Sequence, residues 1–137
     1  MKNNFRILKH TADLKIKIWA KTLKKIFSVA IFALFKSINP KTKGNFVFQK
    51  IKIKSQDLES LFVDFLNKSL SLSQIKKEAY FDFKVEKFSF KKKFFIEGLL
   101  KGKKMESFDL DIKAITYHQL KIKKEKNKWT AVFLCDI

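Results

Sequence analysis

The residues from Asp13 to Phe35 read DLKIKIWAKTLKKIFSVAIFALF, and the spacing of apolar side chains changes partway along them. Leu14, Ile16, Ile18 and Ala20 alternate with Lys15, Lys17 and Trp19, the period of a strand with one buried face. After Thr22 the apolar residues are Leu23, Ile26, Phe27, Ala30, Ile31 and Leu34, which share one face of a helix that Thr22 is placed to cap. Asn39-Pro40 then predicts the end of that helix, because the residue before proline is driven out of the helical region.

Outward from this stretch the same reading continues. Phe5 to Leu8 predicts a short strand and Phe46 to Ile53 another. Leu58, Leu61, Phe62, Phe65, Leu66 and Leu72 predict a second amphipathic helix, whose N-terminus suits the acidic Asp57 and Glu59. Strands are then expected over Tyr80 to Phe88, Phe94 to Leu100, Leu110 to Thr116, His118 to Ile122 and Trp129 to Asp136, with turns such as Lys124 to Lys128 between them. The expected fold is α+β: two amphipathic helices packed on an antiparallel or mixed sheet, in a single domain over 1–137. Phe62, Phe65, Phe81, Phe83, Phe94 and Phe133 fall at positions a core would use, rather than forming a stacking platform for bases.

Composition narrows the classes of function. The single cysteine, Cys135, excludes an internal disulfide and suits a reducing compartment. Met1 to Arg6 is polar and basic, unlike a signal peptide, and the most apolar run, Ile26 to Phe35, is far shorter than the roughly 20 residues of a membrane span. A soluble, cytoplasmic protein without membrane contact is expected. The net charge of +18 invites a nucleic-acid partner, yet Arg6 is the one arginine among 31 basic residues, and lysine lacks the planar fork that reads guanine. Two readings of the lysines stand: a solvated coat, or a weak and non-specific RNA or phosphate surface.

Signatures of catalysis are lacking. There is no phosphate-binding loop, dinucleotide turn, Cys-x-x-Cys pair or nucleophile elbow, and His10 and His118 have no helical partner at zinc-ligand spacing. The aspartates at the extremes, Asp13 and Asp136, again admit two readings. If the fold joins the ends, they and the carboxylate of Ile137 offer three hard oxygen ligands suited to calcium or magnesium. Otherwise Asp13 opens a strand and Asp136 belongs to a frayed tail.

Several segments in order resemble the archease family: His10-Thr11-Ala12-Asp13-Leu14, Lys21-Thr22-Leu23, Asp57-Leu58-Glu59-Ser60-Leu61 with Asp64-Phe65-Leu66-Asn67, Lys113-Ala114-Ile115-Thr116-Tyr117-His118, and Asp136-Ile137. The match spans nearly the whole chain. It departs from the family pattern at Lys15, where a small residue is usual, and at Lys24-Lys25, where acidic residues are usual. The resemblance implies a non-catalytic protein cofactor of the RtcB-type RNA ligase of tRNA splicing and RNA repair, promoting ligase guanylylation and multiple turnover. It implies a metal site at Asp13, Asp136 and Ile137, with calcium as the ion and magnesium or manganese as alternatives. Lys113 matches the lysine of the family's motif and is implied to contact partner or nucleotide, its other reading being one more solvated charge. His10, Asp57, Asp64 and His118 are candidates for supporting residues around the metal, the alternatives being that Asp57 and Asp64 only solvate their helix and that His118 is structural. The family's link to tRNA methyltransferases implies an alternative, a basic RNA-binding or chaperone-like module that assists a tRNA-modifying enzyme.

Overall fold

The computed structural model describes residues 4–9 and 12–137. Its elements, in chain order, are β1 (Phe5–Lys9), β2 (Asp13–Ala20), α1 (Leu23–Ser37), β3 (Lys41–Ser55), α2 (Leu58–Lys76), β4 (Glu78–Lys91), β5 (Lys93–Ser107), β6 (Ala114–Glu125) and β7 (Lys128–Asp136). The period change inside Asp13–Phe35 is the β2–α1 boundary. Leu14, Ile16, Ile18 and Ala20 are all buried, and the Thr22 hydroxyl accepts from the Lys25 N–H at 3.2 Å, satisfying one of the orphan donors of the first helical turn. The α+β class with two helices on antiparallel sheet is the fold observed.

The strands divide into two sheets rather than one. The first has the order β1-β2-β7-β6 and the second β3-β5-β4, and every pairing is antiparallel. Both helices touch both sheets: α1 meets β1, β2 and β7 of the first and β4 of the second, while α2 meets β3, β4 and β5 of the second and β6 of the first. Contact on two sides is why α1 buries Val29, Ala33 and Phe35 in addition to its six-residue stripe. Edge-on aromatic pairs tie the layers together. Phe27 of α1 meets Phe62 and Phe65 of α2 and Phe88 of β4, Phe62 reaches Phe133 of β7, and Phe65 reaches Phe83 of β4. Of the six phenylalanines expected in the core, Phe62, Phe65, Phe83 and Phe133 are buried, whereas Phe81 and Phe94 are partly exposed.

Helix α2 starts at a capping box, in which Asp57 accepts from the Ser60 N–H at 2.7 Å while the Asp57 N–H donates to the Ser60 hydroxyl at 3.3 Å. It ends at Lys77, which takes the left-handed conformation (φ 55°) more often given to glycine. The next strand brings Glu78 into the interior. There its carboxylate accepts from the Tyr80 hydroxyl at 2.7 Å and from Gln49 Nε2 at 2.9 Å, and it pairs with Lys104 at 3.6 Å. Burial first, then Glu78, pushes the Tyr80 hydroxyl well above its ordinary value.

One expectation about the strands is corrected. Leu110 to Lys113 is irregular, and the two short strands expected over Leu110 to Thr116 and His118 to Ile122 are one strand, β6, which starts at Ala114. Its register against β7 jumps between Thr116, opposite Leu134, and Lys121, opposite Val132. The intervening residues outnumber the single partner Phe133, so they form a wide bulge, with Gln119 at φ 56°. An apolar pattern broken by such a bulge looks like two strands in the linear order.

Candidate functional site

Asp13 is the first residue of β2 and Asp136 the last of β7, and the antiparallel register sets them directly opposite one another. Such cross-strand partners project from the same face of a sheet. On the other side of β7, Ala114 is also paired with Asp136, and the Lys113 N–H donates to the Asp136 carbonyl at 2.8 Å. Three segments distant in sequence therefore meet at one corner of the first sheet.

Helix α2 fixes that corner from beneath. Asn67 Nδ2 donates to the Ile115 carbonyl and Asn67 Oδ1 accepts from the Ile115 N–H, both at 2.9 Å, while Gln74 Nε2 donates to the Ile112 carbonyl at 3.2 Å. Lys113 is thus held on both sides by backbone that the helix grips. Nothing in the linear order pointed to Gln74, and Asn67 stood out only as part of a motif. A polar residue next to the buried Leu66 on a helical face was the one signal available for its clamp.

Below the corner the neighbouring residues Leu14, Cys135 and Ile115 are buried side by side in the core. Burial, and secondarily the charge of Asp136, pushes the Cys135 thiol up to about 12, so it packs as a neutral apolar group. Above it, Asp13 Oδ1 is buried yet has no hydrogen-bond partner among the described residues, while Asp136 is exposed. An unpaired buried carboxylate oxygen is costly unless something outside the described residues meets it.

The other residues singled out from sequence lie at varied places. Ile137 follows Asp136 and is half-buried; the Lys113 side chain is exposed and in no ion pair among the described residues. His118 sits on the β6 bulge, exposed, with its N–H donating to the Thr116 hydroxyl at 3.3 Å. Asp57 caps α2, and this hydrogen bonding from Ser60 lowers its carboxyl below the usual range; Asp64 accepts from the Ser55 hydroxyl at 2.8 Å. Both of these carboxylates have structural partners. Burial, and then the charges of Asp64 and Asp57, raise the Tyr117 hydroxyl above its ordinary value. His10 lies outside the described residues.

The donor set fits a hard cation in part. Two carboxylates face each other and one oxygen lacks a partner among the described residues, which is oxygen chemistry of the calcium and magnesium kind. Among the described residues, however, no three His, Cys, Asp or Glu side chains come together, so side chains alone do not complete a coordination shell. A concavity of 870 Å³ is elsewhere, lined by Trp19, Lys21 and the Glu125 to Lys128 turn at the far end of β2. No helix among the described residues is long and apolar enough to cross a membrane.

Residues 5–137 match the model of the archease protein family (MTH1598/TM1083). The chain is similar to "Protein archease" of Methanosarcina mazei, 32% identical with 97% of this chain and 95% of that protein covered. It is similar also to "Protein archease" of Pyrococcus furiosus, 34% identical with 93% and 94% covered. Its fold resembles the solution structure of Methanobacterium thermoautotrophicum protein 1598, with a TM-score of 0.74, 22% identity and coverage of 98% and 99%. It likewise resembles the crystal structure of "an archease, possible chaperone" from Thermotoga maritima, with a TM-score of 0.70, 19% identity and coverage of 95% and 94%.

Proposed function

The chain belongs to the archease family, and from that premise we propose that it is a non-catalytic activator of an RtcB-type RNA ligase in the cytoplasm, promoting ligase guanylylation and multiple turnover in tRNA splicing or RNA repair. The observation that carries this reading is the carboxylate pair. Asp13 and Asp136 are held opposite each other, one oxygen has no partner among the described residues, and the corner lies at the surface where a partner can reach it.

Asp13, Asp136 and an oxygen of Ile137 would hold calcium, with magnesium or manganese as alternatives. A bound cation would supply positive charge for nucleotide phosphates. The chain's own residues set the position. The β2–β7 register fixes the separation of the carboxylates, the Lys113 N–H orients the Asp136 main chain, and Asn67 and Gln74 hold the backbone on either side of Lys113. The Lys113 ammonium, on an exposed side chain beside this corner, would meet a phosphate or carboxylate of the docked ligase. Pre-set charge, rather than a nucleophile, is then what this protein brings to the ligase.

The test is ligation by the RtcB-type ligase of the same organism under substrate excess, with wild-type protein, Asp13→Ala and Asp136→Ala. Multiple turnover with the wild type and single turnover with both variants is expected. Full stimulation by Asp136→Ala would refute the site-based mechanism. The alternative, a basic RNA-binding or chaperone-like module assisting a tRNA-modifying enzyme such as a methyltransferase, predicts that neither aspartate matters and that removing lysines does.

A further inference from the structure

The three-stranded sheet has an outer face that the carboxylate corner does not use. Antiparallel register places Phe46 of β3 opposite Lys103 of β5, and Phe48 opposite Lys101, so two phenylalanines and two lysines share that face. Phe46 and Phe48 are each 52% exposed, in a protein whose core holds many other aromatic rings. The ammonium groups of Lys101 and Lys103 stand 4.3 and 5.1 Å from the Phe46 ring centroid, and the Phe81 ring meets the same ring edge-on at 6.0 Å. Rings left this open on a sheet normally mark a surface that something covers.

The charge on the face says what kind of partner fits. Glu86 and Glu97 lie among its lysines, and Lys50 and Lys52 pair with them. Asp82, opposite Lys101, already accepts from the Phe83 N–H. Lys54, Lys87, Lys101 and Lys103 are in no ion pair among the described residues. Two of these, Lys54 and Lys87, line a 290 Å³ hollow beside Phe95 at the other end of the face. From Phe46 to Lys54 is eight strand residues, roughly 26 Å, a length suited to about four nucleotides.

We propose that this face binds single-stranded RNA, with bases stacked on Phe46 and Phe48 and phosphates met by Lys101 and Lys103 and, toward the hollow, by Lys54 and Lys87. Open rings interleaved with lysines that pair with no described carboxylate match a strand that offers base faces and phosphates together. A duplex hides its base faces and offers only phosphates. The lysines now over Phe46 would turn to phosphate as a base takes the ring face. The proposal is independent of the ligase reading, because the face belongs to the other sheet and uses neither aspartate.

The test is fluorescence anisotropy of labelled oligouridine and of an RNA duplex of equal length, titrated with the full chain over a range of salt. Variants are Phe46→Ala with Phe48→Ala, Lys101→Gln with Lys103→Gln, and, as a control for bulk charge, Lys24→Gln with Lys25→Gln on exposed positions of α1. Circular dichroism checks that each is folded. The expected result is single-strand binding that the phenylalanine pair weakens roughly tenfold or more at unchanged salt slope. The Lys101/Lys103 pair should lower the slope by about 1.4, two phosphates at roughly 0.7 each. Equal affinity for duplex, wild-type affinity in the folded phenylalanine variant, or equal weakening by the Lys24/Lys25 control would each overturn the proposal. Absence of RNA binding together with loss of ligase stimulation in the phenylalanine variant would overturn it in favour of a protein partner.

Discussion

Replacing Asp13 by Asn should make the metal-free protein more stable, which is unusual for a substitution at a half-buried residue. Directly opposed residues in an antiparallel pair have Cα atoms about 4.5 to 5.5 Å apart, which sets the scale of the distance between the Asp13 and Asp136 carboxyl groups. At 5.5 Å the repulsion is about 3 kcal/mol for an effective dielectric near 20 and about 0.8 kcal/mol near 80. Asp136 and the neighbouring Lys113 are both exposed, so the lower part of that range applies, about 1 kcal/mol. Asn keeps the size and shape of the side chain, so the packing of Leu14 and Cys135 beneath is unaffected. In chelator, Asp13→Asn should then melt roughly 3 to 5 °C above wild type. Calcium at a hundred times its dissociation constant should add about 2.7 kcal/mol to the wild type and nothing to the variant, reversing their order. The assay is thermal unfolding by circular dichroism with chelator and with calcium. A variant that melts below wild type in chelator would show that the Asp13 carboxylate has a stabilising partner and refute the repulsion. Equal calcium shifts in both proteins would refute the assignment of Asp13 to the cation.

Phe27→Ala should cost about 3 to 5 kcal/mol, with loss of three edge-on ring contacts adding to the cavity, and urea unfolding should show a sharply lower midpoint or no cooperative transition. Gly102→Ala should be more damaging than its one added methyl suggests. A Cβ there would lie 1.9 Å from the Ala79 carbonyl oxygen, so strands β4 and β5 must part, and the expected loss is about 3 kcal/mol or more by the same assay. Because burial pushes the Cys135 thiol up to about 12, the folded state favours the neutral form, and the stability it contributes falls as pH rises past the ordinary thiol value of about 8.5 toward 12. At pH 8 a thiol reagent should therefore modify it only at the rate of unfolding; rapid modification of native protein would contradict the burial of this strand.

Much of the fold is legible in the order of residues alone. The change of period within Asp13–Phe35, the caps at Thr22 and Asp57 and the apolar stripes of both helices depend on neighbours within about four residues, and interactions of that range are written in the order of the chain. The five segments that identify the family are also local strings. The two halves of β6 look like separate strands for the same reason in reverse, because a bulge is defined only by what the partner strand does.

Tertiary structure decided the rest. Whether Asp13 and Asp136 meet depends on β7 pairing with β2, a contact between the two extremes of the chain, and alternation alone does not name a strand's partner. The division into two sheets follows from two helices whose apolar faces each need cover on two sides, so burial of the whole molecule chose the pairings. The clamps of Asn67 and Gln74 on the backbone around Lys113 exist only once α2 lies against β6. Phe46 and Phe48 show the limit most clearly. By composition and period they resemble the phenylalanines of the core, and register alone turned them outward beside Lys101 and Lys103. Periodicity determines that a strand has two faces, and packing of the entire chain determines which one meets water.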